Sequence, residues 1–185
     1  MRGMAIPARR MTLEEYLEAE RSSEVPLEYR DGKVTRVTDA TPAHAGLTAT
    51  LCAALVHRLK GTPCLTYVKL QVRISPSQYV CPDVAVVSGK PIQTSEKDAS
   101  VSNPKVVFEI LSPSTQDYDY GGKFLLYRQL PSLEEYVLVS RDQPRVEVYR
   151  RAPSDKWILS TYDGMDTTLI LESLDRRIPL RELYL

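Results

Sequence analysis

Apolar residues recur along this chain with two different periods, and the places where the period changes mark its elements. Thr12 and Glu15 have the spacing of a capping box, and Leu13, Tyr16 and Leu17 give the next turns an apolar stripe, so a short helix is predicted there. Val25–Tyr29 and Val34–Thr38 are β-prone runs around Arg30-Asp31-Gly32-Lys33, which predicts a hairpin turning at Asp-Gly. After Thr41-Pro42, the residues Leu47, Leu51, Leu55 and Leu59 repeat every four positions up to Gly61 and Pro63, the pattern of a helix of about five turns. Tyr67–Ile74 then alternates Val68, Leu70, Val72 and Ile74 with Lys69, Gln71 and Arg73, the period of a half-exposed strand, and Ser75–Gln78 turns the chain back.

Val80–Val87 and Lys105–Leu111 are nearly continuous in apolar residues, as expected of strands covered on both faces at the centre of a sheet. Ser88–Pro104 between them is polar and irregular. Asp117–Leu130 has helical length, with Phe124, Leu125, Tyr127 and Leu130 as apolar members and Gly121-Gly122 weakening its first turn. Strands follow at Tyr136–Val139, Val146–Arg150, Ile158–Tyr162 and Thr168–Leu171, and the stretch from Thr161 to Leu185 is expected to form the last strands or a dimer contact. The expected fold is one α/β (α+β) domain over residues 1–185, a mixed sheet with packed helices and a C-terminal run of antiparallel strands.

Two acids interrupt the central strands. Asp83 lies in Val80-Cys81-Pro82-Asp83-Val84-Ala85-Val86-Val87 and Glu109 in Val106-Val107-Phe108-Glu109-Ile110-Leu111. An isolated carboxylate in an apolar setting costs several kcal/mol, so something must offset it. Either each acid reaches solvent or an arginine, or both share a divalent metal, for which hard oxygens suit Mg²⁺ and which would remove their mutual repulsion. Substituting either acid by alanine is then expected to leave the fold intact or more stable. Pro82 fits a strand start or bulge and fixes where Asp83 emerges.

Composition narrows the setting. The 185 residues carry 24 Lys+Arg against 24 Asp+Glu and are 43% hydrophobic, which suits a globular chain and removes the argument for nucleic-acid binding that a strongly basic composition would supply. Cys52, Cys64 and Cys81 form no C-x-x-C pair, which favours a reducing compartment and argues against structural zinc. No signal-peptide pattern and no apolar run of about 20 residues is present, so a cytoplasmic protein without a membrane span is expected.

Pro82-Asp83 followed by Glu109-Ile110-Leu111 resembles the Pro-Asp…(Asp/Glu)-x-Lys pattern of the restriction-endonuclease-like nuclease superfamily. More closely, the chain resembles the Uma family of restriction endonucleases through Met11–Leu17, Glu28–Val34, His44, Cys81–Val86, Val107–Thr115, Lys123–Tyr127 and Leu133–Val139. The resemblance implies a restriction-endonuclease-like fold with a central mixed sheet flanked by helices, and metal-dependent cleavage of phosphodiester bonds. The leading expectation is a Mg²⁺-dependent (or Mn²⁺-dependent) endonuclease acting on DNA, with a homodimer expected because one reaction centre per strand is the simple arrangement. Asp83, Glu109 and the backbone carbonyl of Ile110 would hold the metal.

The motif lysine is missing, because Leu111 stands in its place, and Lys123 on the following helix is the candidate replacement. Glu28, at the family's hairpin entry, is a candidate to complete the metal shell, and Gln71 to touch a metal-bound water. His44 is a candidate phosphate contact, while His57 reads as a surface residue. Ser112, Ser114 and Thr115 offer hydroxyls beside Glu109, in ordinary turn chemistry. Arg2, Arg9 and Arg10, then Arg30, Lys33 and Arg36, and Lys69 with Arg73 are the candidate DNA contacts. The alternative is a catalytically degenerate nucleic-acid-binding or scaffold module of the same fold, for which Leu111 argues; a ligand-binding or structural domain without nucleic acid is favoured only by the zero net charge.

Overall fold

Local rules place the first elements. The structure, a computed structural model, describes residues 9–38, 41–95, 98–113 and 116–184. Helix α1 (Leu13–Ser22) starts at the capping box: the Thr12 hydroxyl accepts from the Glu15 N–H and the Glu15 carboxylate accepts from the Thr12 N–H. Strands β1 (Leu27–Arg30) and β2 (Lys33–Arg36) pair antiparallel around Asp31 and Gly32, which both have positive φ (49° and 91°), as a two-residue hairpin requires. Helix α2 (Pro42–Arg58) opens at Thr41, whose hydroxyl accepts from the His44 N–H.

Strands β3 (Cys64–Val68), β4 (Val72–Ser75), β5 (Gln78–Val80), β6 (Val84–Ser88) and β7 (Pro104–Leu111) follow. Here the structure departs from the periodicity twice. The strand expected over 67–74 breaks at Lys69, which is left-handed at φ 51°, so that β3 and β4 enter different sheets. The strand expected over 80–87 breaks at Cys81-Pro82-Asp83, because Pro82 has no N–H for a ladder. Asp83 therefore sits just outside β6 rather than within a strand.

A helical segment runs through α3 (Gln116–Tyr118), a π-helical turn (Asp119–Lys123) and α4 (Phe124–Tyr127). Strands β8 (Glu135–Ser140), β9 (Arg145–Ala152), β10 (Lys156–Asp163), β11 (Thr168–Leu171) and β12 (Arg176–Pro179) complete the order. The largest sheet has six strands in the order β10-β9-β8-β7-β6-β3, with β7 and β8 parallel and the other neighbours antiparallel. A four-stranded sheet, β2-β1-β5-β4, lies beside it, and β11 pairs with β12.

Both faces of the large sheet are covered, which is why β6 and β7 read as continuous apolar runs. Leu47, Leu51 and Leu55 of α2, with Leu59 at its C-cap, pack with Val84, Val86, Val106, Phe108 and Ile110 on one face. Leu51 and Leu55 are fully buried, each contributing roughly 1.5–3 kcal/mol. Val107 and Leu111 face the other way, onto the cluster of Leu126, Tyr127, Leu130 and Tyr136. Glu109 shares that second face through the alternation of β7. The C-terminal stretch, left between last strands and dimer contact, packs on the core: Leu169, Leu171, Ile178 and Leu180 join the α2 cluster. No helix among the described residues is long and apolar enough to cross a membrane.

Candidate functional site

Register brings the two acids together. β6 and β7 are paired as far as Val84↔Phe108, so Asp83 on one side and Glu109 and Ile110 on the other lie just beyond that pairing, where β7 continues alongside β8 alone. The Asp83 carboxylate accepts from the Ile110 N–H at 2.7 Å, lies 3.1 Å from His44 Nε2 and pairs with Lys69 Nζ at 2.5 Å. Lys69 reaches it because its left-handed backbone turns the chain at the end of β3, where the Lys69 N–H also donates to the Asp83 carbonyl. Burial opposes ionisation of Asp83, yet the His44 hydrogen bond and the Lys69 charge outweigh it and hold the carboxyl down at about 2.

Glu109 meets a different set. Lys123 Nζ donates to Oε2 at 3.0 Å and the Tyr127 hydroxyl to Oε1 at 3.1 Å, from positions four apart on one helical face. Lys123 also lies 3.4 Å from Glu28 and 3.6 Å from Asp119. Glu28, on β1, accepts from the Cys81 N–H at 3.2 Å and from the Tyr118 hydroxyl at 3.4 Å, so the hairpin entry is part of the cluster. The π turn makes this possible, and such turns often mark functional positions. Gly122 is required within it, since a Cβ there would come within 2.6 Å of the Tyr118 ring.

Electrostatics differ accordingly. Burial drives the Glu109 carboxyl well above the usual carboxylate range; Lys123 works against this, while Asp119, Asp83 and Glu28 reinforce it. Lys123 stays cationic because the attraction of Glu109, Glu28 and Asp119 exceeds the cost of burying it. Tyr127 is held protonated by burial and by the Glu109 charge, as its role as donor needs. Burial pushes the neighbouring Cys81 thiol up to about 12, which removes it as a nucleophile at neutral pH.

Four buried carboxylates, Glu28, Asp83, Glu109 and Asp119, thus face the two ammonium groups of Lys69 and Lys123. This excess of negative charge and hard oxygen is the donor chemistry that a divalent cation takes. Among the described residues no three His, Cys, Asp or Glu side chains converge closely enough to hold a metal by themselves. A third protein ligand would have to come from the backbone. Ile110 is suitably placed, since the N–H and C=O of one strand residue project to the same side and its N–H points at Asp83.

A family model described as "Putative restriction endonuclease" (Uma2) matches residues 13–181. The chain belongs to the Uma2 family. Two proteins of Synechocystis sp. are similar to this Uma2 chain along most of its length. The uncharacterized protein slr1290 is 31% identical over 163 residues, covering 86% of this chain and 84% of its own. The uncharacterized protein sll1609 is 30% identical over 156 residues, covering 83% and 88%. A crystal structure of a "putative nuclease belonging to DUF820" from Anabaena variabilis superposes with a TM-score of 0.76 at 19% identity, over 94% of this chain and 97% of that one. The Uma2 fold is therefore restriction-endonuclease-like, a central mixed sheet with helices on it and extra antiparallel strands.

The structure brings Asp83, Glu109, Glu28 and Lys123 into one cluster, and several other expectations are corrected. Gln71 faces away from the acids, donating to the Glu20 carboxylate at 2.9 Å and to the Leu27 carbonyl, because it lies past the break at Lys69. Lys69 is not a DNA-facing residue of a strand but the ion-pair partner of Asp83. His44 is buried against Asp83, which makes it a carboxylate partner rather than a phosphate contact. Arg73 bonds the Thr94 hydroxyl and packs over the Tyr79 ring, and Arg9 is paired with Glu15. Ser112 is buried, with its carbonyl accepting from the Gln116 N–H. Arg2, Ser114 and Thr115 lie outside the described residues.

Alanine at Asp83 is expected from the sequence to relieve an uncompensated charge, but that carboxylate has donors, and its removal would strand the Ile110 N–H and the Lys69 charge. Sequence reasoning missed Tyr127, Asp119 and Tyr118. The i,i+4 spacing of Asp119, Lys123 and Tyr127 was the signal that could have found the first two.

Proposed function

We propose that this chain is a metal-dependent endonuclease that hydrolyses phosphodiester bonds of DNA. The observation that carries the reading is the meeting of Asp83 and Glu109 at one end of the sheet, within a cluster whose buried carboxylates outnumber its lysines. The family description and the nuclease title of the structural neighbour support it. Asp83, Glu109 and the Ile110 carbonyl are the residues that would hold Mg²⁺ or Mn²⁺. When bound, such an ion supplies Lewis acidity toward the scissile phosphate and lowers the pKa of a water.

The chain's own groups have assignable tasks. His44 and the Ile110 N–H fix the orientation of the Asp83 carboxylate, and Tyr127 fixes that of Glu109. Lys123 takes the place of the lysine missing at Leu111, holding a positive charge beside Glu109 and Glu28. Glu28 accepts hydrogen bonds from two elements and completes the acid shell. One centre per strand makes a homodimer the simple arrangement for duplex cutting, to be checked by sedimentation, and the free cysteines suit a cytoplasmic setting.

Isothermal titration of Mg²⁺ and Mn²⁺ into the wild type and Asp83→Asn, with plasmid nicking on the same samples, tests the reading. Metal binding and nicking that disappear together in the variant support it, and a wild type that binds neither ion overturns it. One observation favours a second reading, a degenerate nucleic-acid-binding module: Leu111 replaces the motif lysine and both acids are already satisfied by lysines. That reading expects DNA affinity that survives Asp83→Asn, with no nicking by the wild type.

A further inference from the structure

An open groove of about 780 Å³ lies between the β1–β2 hairpin and the helical segment at Gly122–Leu126. Its walls carry Arg9, Arg10, Arg30 and Lys33, and its floor includes Gly122 and Leu125. Arg9 is neutralised by Glu15, but among the described residues no salt bridge engages Arg10, Arg30 or Lys33. The only carboxylate in the lining is Asp31, which accepts from the Ser77 hydroxyl at 2.7 Å. A chain with no net charge has thus gathered unpaired cations on one surface.

The backbone that carries these cations is braced rather than left as a loose segment. The Met11 N–H donates to the Gly32 carbonyl at 2.8 Å and the Tyr29 hydroxyl to the Met11 carbonyl at 3.0 Å, strapping residues 10 and 11 across the hairpin. Arg10 lies so close over the turn that a Cβ at Gly32 would come within 2.9 Å of its own Cβ. The Asp31 N–H donates to the Ser77 carbonyl at 2.8 Å, pinning the turn from its other side. The Arg30 guanidinium lies over the Tyr118 ring, 4.6 Å from its centroid, and the Tyr118 hydroxyl donates to Glu28 of the acid cluster. Leu125 is 57% exposed, an apolar floor under a cationic rim.

We infer that this groove binds the phosphodiester backbone of DNA, with Arg10, Arg30 and Lys33 as the phosphate contacts and the Arg30–Tyr118 stack linking it to the acids. Cations free of salt bridges, carried on a braced backbone beside an exposed leucine, match a strand that presents phosphates on one side and sugars on the other. The inference rests on the nuclease reading for its substrate, and it is tested without cleavage.

The test is fluorescence anisotropy of a labelled 20-base-pair duplex with the full chain in EDTA, titrated at several salt concentrations. Expected for Arg10→Glu with Lys33→Glu is an affinity loss of about tenfold or more and a shallower dependence of log K on log salt, by about 0.9 per lost phosphate contact. Arg10→Gln with Lys33→Gln, a milder pair, shows the same flattening if the charge reversals disturb folding. Lys60→Glu with Lys156→Glu, charges outside the groove, serves as the control and leaves affinity within about twofold. Groove variants that bind like the wild type, or a wild type that does not bind DNA, overturn the inference. Nicking by the wild type with Mg²⁺ in that case leaves the nuclease reading standing, whereas groove-dependent binding without any nicking keeps the inference and removes the nuclease.

Discussion

Asp83, just before β6, and Glu109, near the end of β7, lie at the same end of one sheet, are both buried, and have their carboxyls shifted in opposite directions. Asp83 is surrounded by donors that favour its charge, the Ile110 N–H, His44 and Lys69, and its carboxyl is held down at about 2. Glu109 shares its lysine with Glu28 and Asp119, so burial and like charge push its carboxyl up. Carboxylates with divergent pKa values recur at chemical sites, and here the divergence comes from burial, which dominates at Glu109 with a shared lysine against it and is outweighed at Asp83 by His44 and Lys69.

The largest way to break that comparison is Lys123→Met, which leaves Glu28, Glu109 and Asp119 buried with no cation. A stability loss of about 3–5 kcal/mol is expected in urea unfolding at pH 7, shrinking at low pH as carboxyls take protons. If the metal site is real, Mg²⁺ at a hundred times its Kd adds about 2.7 kcal/mol to the wild type and nothing to Asp83→Asn, read as a shift in thermal midpoint. Asp83 itself contributes stability that is complete above its unfolded pKa near 3.8 and is lost as pH falls through about 2. Acid titration of unfolding should therefore cost the wild type about 2 kcal/mol more than Asp83→Asn across that window, the remaining slope of the variant coming from other paired carboxyls such as Glu15.

The Glu109 slope has the other sign. Its raised carboxyl makes the folded state bind more protons than the unfolded, so its ionisation lowers stability as pH rises above the ordinary carboxylate range. Tyr127→Phe is the mildest probe. Removing that donor should cost about 1–2 kcal/mol and raise the Glu109 carboxyl further, which infrared or NMR titration of the side chain would register.

How much was legible follows from which contacts are local. The Thr12 capping box, the Asp31-Gly32 turn and the four-residue leucine repeat of α2 involve partners within a few positions, and all three form as their spacing demands. Asp83 and Glu109 stood out because acids are costly in apolar runs, and Lys123 because a cation was missing at Leu111. The strand across Lys69 was misread because alternation continues through residues 67–74 regardless of backbone handedness.

The sequence by itself determined the elements, the two conspicuous acids and, through its motifs, the family. Tertiary structure alone decided the company those acids keep. His44, Lys69 and Ile110 gather on Asp83, and Lys123 and Tyr127 on Glu109, from elements up to tens of residues apart. Periodicity reports which face a side chain takes, but sheet register, the left-handed turn at Lys69 and the π turn at Asp119–Lys123 set which groups meet. The charge state of a buried carboxylate depends on those meetings and on nothing a single element contains.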